Sequence, residues 1–167
     1  MNRRINLTFF FIVFLLSSCF DFASEPPLKY QDKEFNEIAG FILDQNDIYQ
    51  MDDFTRYHKK INGVSVKLKT DEGDQDAQFL NVVEDSLNLD PKIVSSLRIK
   101  LEETKLRDFI KSGDTILFTV DGFLDTSWGF MYSKHGLTMD SSWFNFEGNS
   151  VKFVEDINKN WKRTAIH

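Results

Sequence analysis

Two runs near the middle of the chain constrain the fold most. In Thr115–Val120, Ile116, Phe118 and Val120 alternate with smaller or polar residues; in Trp128–Lys134, Trp128, Phe130 and Tyr132 do the same. A period of two puts each apolar set on one face of a strand. Two such strands joined by the seven residues Asp121–Ser127 predict an antiparallel pair with one face buried. Lys134-His135-Gly136 marks the next turn, and Glu147-Gly148-Asn149 separates Trp143–Phe146 from Val151–Val154 as a second hairpin. Trp161–Ile166 supplies a last strand, whose Lys162-Arg163 pair is expected near the surface.

Upstream the period changes. Phe35, Ile38, Ala39 and Ile42 recur at helical spacing behind Asp32, a residue suited to an N-cap, so a helix is expected to about Gln45. Ile48–Ile61 carries Ile48, Met51, Phe54 and Tyr57 at three-residue spacing and reads as a helix or an irregular loop. Asn62-Gly63 is a turn, and Val64–Lys69 alternates as a half-buried strand with its lysines on the wet face or guarding an edge. Gln78–Leu87 predicts a short helix. Asp90-Pro91 opens a longer one, which the apolar pattern carries through Phe109 and Ile110 to a stop at Ser112-Gly113. The expected fold class is α+β, with N-terminal helices packed on a C-terminal antiparallel sheet of about four to five strands.

The first residues read differently. Asn2-Arg3-Arg4 is positive, Ile5–Leu16 is apolar apart from Asn6 and Thr8, and Ser17-Ser18 are small. This is the layout of a secretory signal peptide. The run is shorter than the roughly 20 residues a membrane span takes. Leu16-Ser17-Ser18-Cys19 resembles the lipobox of bacterial lipoproteins: an aliphatic residue, two small residues and a cysteine, here the only cysteine of the chain. The resemblance implies cleavage between Ser18 and Cys19, a diacylglyceryl group on the Cys19 sulfur and an acyl group such as palmitate on its amine. One acyl chain binds a membrane reversibly, whereas two or three hold it firmly, each buried methylene contributing about 0.8 kcal/mol. Phe20 stands where Gram-negative lipoproteins retained in the inner membrane carry Asp, so the resemblance favours the outer membrane. Residues 113–136 also resemble a pattern of small bacterial lipoproteins: a strand, an aromatic-bearing Asp-Gly loop and an aromatic strand ending in Tyr132-Ser133. That pattern implies an architecture and no catalytic residue.

The chain therefore divides into a signal peptide (1–18), a lipidated tether (19–31) stiffened by Pro26-Pro27, and one domain (32–167). Ten extended residues reach at most about 35 Å, so the domain works close to the membrane. Cleavage removes Arg3 and Arg4, leaving 149 residues with 18 basic against 26 acidic side chains and a net charge of −8. That balance argues against nucleic acid and fits a basic partner. With Cys19 lipidated no disulfide is possible, and the core must come from the eleven Phe, three Trp and four Tyr beyond residue 29.

No motif assembles a reaction. His58, His135 and His167 lie far apart in sequence, without metal-ligand spacing, and no metal or cofactor is expected. Asp71–Asp76 invites a calcium reading, but counting from Asp71 or Asp74 puts no Gly sixth and no Glu twelfth. Ser127, His135 and Asp121 or Asp125 surround one hairpin and define a hydrolase alternative, without a nucleophile elbow. The sharper expectation is a binding role without catalysis, of an inhibitor or immunity type. Its candidate contact residues are Asp121, Phe123, Leu124, Asp125 and Trp128; Phe123 and Leu124 are apolar in what should be a loop, and either fold back over the end of the sheet, the favoured reading, or stay exposed and anchor a partner. The other alternative is a carrier of a small apolar ligand, held between helix and sheet.

Overall fold

The computed structural model describes residues 28–55, 58–68, 74–123 and 126–167. Among the described residues three helices and nine strands follow one another: α1 (Asp32–Asp44), β1 (Gln50–Thr55), β2 (His58–Ile61), β3 (Val64–Lys67), α2 (Gln75–Leu87), α3 (Pro91–Thr104), β4 (Asp108–Ser112), β5 (Thr115–Phe123), β6 (Thr126–Ser133), β7 (Phe144–Phe146), β8 (Asn149–Asp156) and β9 (Trp161–Ile166). All nine strands join one antiparallel sheet, in the order β3-β2-β1-β4-β5-β6-β9-β8-β7, curled into a half-barrel.

This corrects the expected architecture of helices first and a sheet of four to five strands last. Two segments carry the difference. Within the first, Gln50–Thr55 and His58–Ile61 are strands: Met51 stands opposite Ile61 on one side and Phe109 on the other. Asn62 latches that hairpin, its Oδ1 accepting the Tyr49 N–H at 2.9 Å and its Nδ2 donating to Asp47 O at 2.6 Å. The long helix stops at Thr104. Lys105 is left-handed (φ 57°), and the Leu106 N–H returns to Leu101 O at 3.0 Å, a helix end without glycine. The residues beyond form β4, and Gly113 (φ 55°) turns β4 into β5 instead of closing a helix. A glycine after an apolar run has the same sequence signature in both roles.

Side chains of the helices fill one face of the sheet. Phe35, Ile38, Ala39 and Ile42 of α1, Phe79 and Val83 of α2, and Val94, Leu97 and Leu101 of α3 are buried against Met51, Ile61, Phe109, Phe118, Phe130 and Trp161. Trp161 is the hub. Its ring lies 4.9 Å from Tyr132, 5.5 Å from Phe35 and Tyr30, and 5.7 Å from Phe118, and its N–H donates to Asn36 Oδ1 at 2.9 Å. The Tyr30 hydroxyl is pushed up to about 12 by burial first and by its bond to Asp32 second. Lys111 reaches from β4 to the C-terminal end of α1, where its ammonium donates to Gln45 O and to Ile42 O, which also accepts the Gln45 N–H.

The opposite face carries a second, smaller core. Leu117, Met131, Val151, Phe153 and Ile166 are buried there, with Ile110, Leu137, Phe144 and Phe146 packed around them. β9 enters between β6 and β8, so it lies inside the sheet. Lys162 is therefore not at the surface: it is 2 % exposed, with its ammonium bound to Asp156 and Asn158 O, both at 2.6 Å. Arg163 is half-buried over the Phe130 ring.

Candidate interaction surface

The register of the sheet assembles one aromatic end. Trp128, Ala165 and Lys152 stand directly opposite one another on β6, β9 and β8, so their side chains share a face. One step along, His167 and Ser150 exchange backbone bonds of 2.8 and 3.1 Å, which extends the ladder past β9. Trp143 stacks on the His167 ring at 5.5 Å with the planes 21° apart. Trp143 remains 48 % exposed and Met139 40 %. Phe144 and Phe146, on either side of Asn145, turn into the second core, and Phe144 meets Phe153 at 5.0 Å. β7 is thereby fixed by its aromatic side chains, although it has three residues and, among the described residues, pairs only with β8. Glu147 (φ 49°) and Gly148 (φ 86°) form its tight turn.

Of the expected contact residues, Trp128 joins this end, half-buried on β6. The backbone of Asp121 and Phe123 extends β5 opposite Trp128 and Thr126. The side chains of Asp121 and Phe123, all of Leu124 and Asp125, and the Cys19 segment with its Ser18 cleavage position lie outside the described residues. Sequence reasoning missed Trp143, Met139 and His167 as a group. A signal was there: no Lys, Arg or His occurs from Gly136 to Val151, although Trp143, Phe144, Phe146 and two acids do.

Of the residues of the hydrolase alternative, the side chains of Asp121 and Asp125 lie outside the described residues, and Ser127 and His135 are not brought together. Ser127 lies at the start of β6 and His135 beyond its end. Eight extended residues separate them, on the order of 25 Å at the rise of a strand. His135 instead contacts Asp114 at 2.9 Å on an exposed turn. Among the described residues no three His, Cys, Asp or Glu side chains converge as a metal site requires. Within the former calcium candidate, Asp74 caps α2 by accepting the Asp76 N–H, and Asp76 pairs with Arg98 at 2.9 Å. A cleft of about 580 Å³ runs beside that pair, lined by Arg98, Arg107, Asp76 and Glu102 with Ile99. Among the described residues no helix is long and apolar enough to cross a membrane.

One acid elsewhere is out of the ordinary. Asp108 on β4 stands opposite Asp52 on β1 and Thr119 on β5, and Lys60 is across from Asp52. Burial raises the Asp108 carboxyl above the usual range; its bond to Thr119 and the Arg107 charge pull partly the other way. Its folded pKa thus exceeds the unfolded one, so its contribution to stability is complete below the unfolded pKa and lost as pH rises through the folded value. The stability of Asp108→Asn relative to the parent should therefore shift in the variant's favour between pH 3 and pH 7. Denaturant midpoints of both proteins across that range check it, and parallel curves would contradict it.

Comparison with protein-family models, with curated proteins and with solved structures yields no match.

Proposed function

We propose that the chain is an exported bacterial lipoprotein, held at the cell envelope by lipid on Cys19, whose domain binds a basic protein partner and catalyses nothing. The observation that carries the binding half is the end of the sheet just described. Trp143 and Met139 leave large apolar area in water on a segment free of positive charge. Exposed apolar side chains rimmed by polar residues mark interaction surfaces, with Trp prominent among the residues that dominate binding energy. The anchor half is supported by Leu16-Ser17-Ser18-Cys19 behind its apolar run. An inhibitor or immunity-type protein that neutralises a basic envelope enzyme has both halves.

Capture from detergent-solubilised membranes tests this reading. At physiological salt a basic protein should be recovered in stoichiometric amount and released by about 1 M salt, where screening extends over only ~3 Å. Recovery of no partner contradicts the proposal.

A further inference from the structure

We infer that β7 is an open docking edge, to which an extended segment of the partner, carrying basic and apolar residues in alternation, adds as a further strand. This rests on the binding reading above and names how the partner is held.

Backbone direction supplies the first argument. In an antiparallel ladder the N–H and C=O of one residue point to the same side, and successive residues alternate. Both groups of Ser150 are engaged by His167, just past β9. Asn145, opposite Ser150, therefore cannot bond across to β8. Its N–H and C=O point away from the sheet, where an incoming strand would meet them. Phe144 and Phe146, anchored in the second core, hold that pair in an extended conformation before any partner arrives.

The contrast between the two edges supplies the second argument. Sheets guard their edges with charge, above all lysine. The opposite edge, β3, ends in the exposed Lys67. The residues Gly136–Val151, which include β7, contain no cation, and Asp140 and Glu147 are exposed on either side of the strand; Lys159 packs against Gly136, at the end of this stretch away from β7. The edge repels an acidic strand and attracts a basic one. It also disfavours a second copy of this chain, whose net charge is −6. Trp143, held against His167, offers the apolar contact beside the exposed backbone.

The test uses the full chain in detergent micelles and a synthetic octapeptide of alternating Lys and Val, with the Glu/Val octapeptide as control. The Lys/Val peptide should shift the Asn145 amide resonance and slow its hydrogen exchange, and the control should do neither. Asn145→Pro removes the outward N–H at a site where proline suits an edge strand, and should weaken peptide binding about tenfold or more, the scale of one lost bond with its partner left unpaired. Asn145→Ala removes the side chain and its contact with the Gly148 N–H but keeps the backbone, and should bind as the parent does. Thermal melts confirm that both variants fold. Equal binding by the parent and Asn145→Pro overturns the inference, as does a concentration-dependent dimer that Asn145→Pro abolishes. A membrane partner captured equally well by Asn145→Pro overturns this edge while leaving the binding role intact. Peptide docking at Asn145 with no partner recovered from membranes upholds the edge and rejects the binding role.

Discussion

Gly129→Ala is expected to destabilise the domain by about 3 kcal/mol or more, at the upper end of overpacking costs. A Cβ at this position would lie 2.0 Å from Phe118 O, 3.1 Å from Phe118 C and 2.9 Å from Ile166 Cδ1. Two of those atoms are backbone of the paired strand, so the new methyl moves only if the β5–β6 ladder opens. Gly129 is opposite Thr119 on one side and Thr164 on the other, in the middle of the sheet. The required feature is the missing side chain, not a special backbone angle. Gly40 in α1 provides the contrast, since a Cβ there meets nothing within 4 Å. Gly40→Ala should stabilise the helix by about 0.5–1 kcal/mol. Paired urea titrations measure both changes, and a Gly129→Ala protein as stable as the parent would show that the two strands do not approach as described.

Trp161→Ala should cost about 3–5 kcal/mol, the range for emptying a large aromatic site in a core. Its indole is fully buried among Tyr30, Phe35, Phe118 and Tyr132, rings that reach it from the segment before α1, from α1 and from two strands. The strands carrying Phe118 and Tyr132 cannot move inward without breaking their ladders with β4, β6 and β9, so much of the cavity persists. The Asn36 carbonyl also loses its N–H donor. Trp161→Phe keeps much of the ring contact and removes that hydrogen bond, worth about 1 kcal/mol. At ~2–4 °C per kcal/mol for domains slightly larger than this one, the alanine variant should melt about 10–15 °C lower and the phenylalanine variant only a few degrees lower. Equal melting temperatures for the two variants would remove Trp161 from its place as hub.

The aromatic strands were legible because their period of two extends over most of β5 and β6, and because one face of each meets the helices. Their other face was not. Leu117 and Met131 read as interruptions of a one-sided pattern, and become a second core only when β8 and β9 bring Val151, Phe153 and Ile166 beside them. Helix periodicity misled where a strand packs its apolar residues unevenly. Met51 is fixed by Phe109, a partner 58 positions away, and local spacing carries no trace of such a pairing. The α3 stop at Lys105 gave no glycine to read. Lys162 looked superficial because lysine nearly always is; a carboxylate and a carbonyl at 2.6 Å compensate its burial. For the candidate site, Trp128 was legible as an aromatic in a strand, whereas Trp143 and His167 meet only through the register of β7, β8 and β9. The stretch free of basic residues was open to a charge count from the start.

In the proposed function, lipid on Cys19 brings this end of the sheet to the envelope, and the binding role assigned to the domain there rests on that anchor. Intact-mass analysis of the protein extracted from membranes tests that claim most directly. The account predicts a mature chain that begins at Cys19 and carries a diacylglyceryl group on sulfur and a further acyl chain on the amine, with Cys19→Ala unprocessed or released from membranes. A membrane-bound protein of mature size with an unmodified Cys19, or a Cys19→Ala variant that still fractionates with membranes at that size, would contradict it.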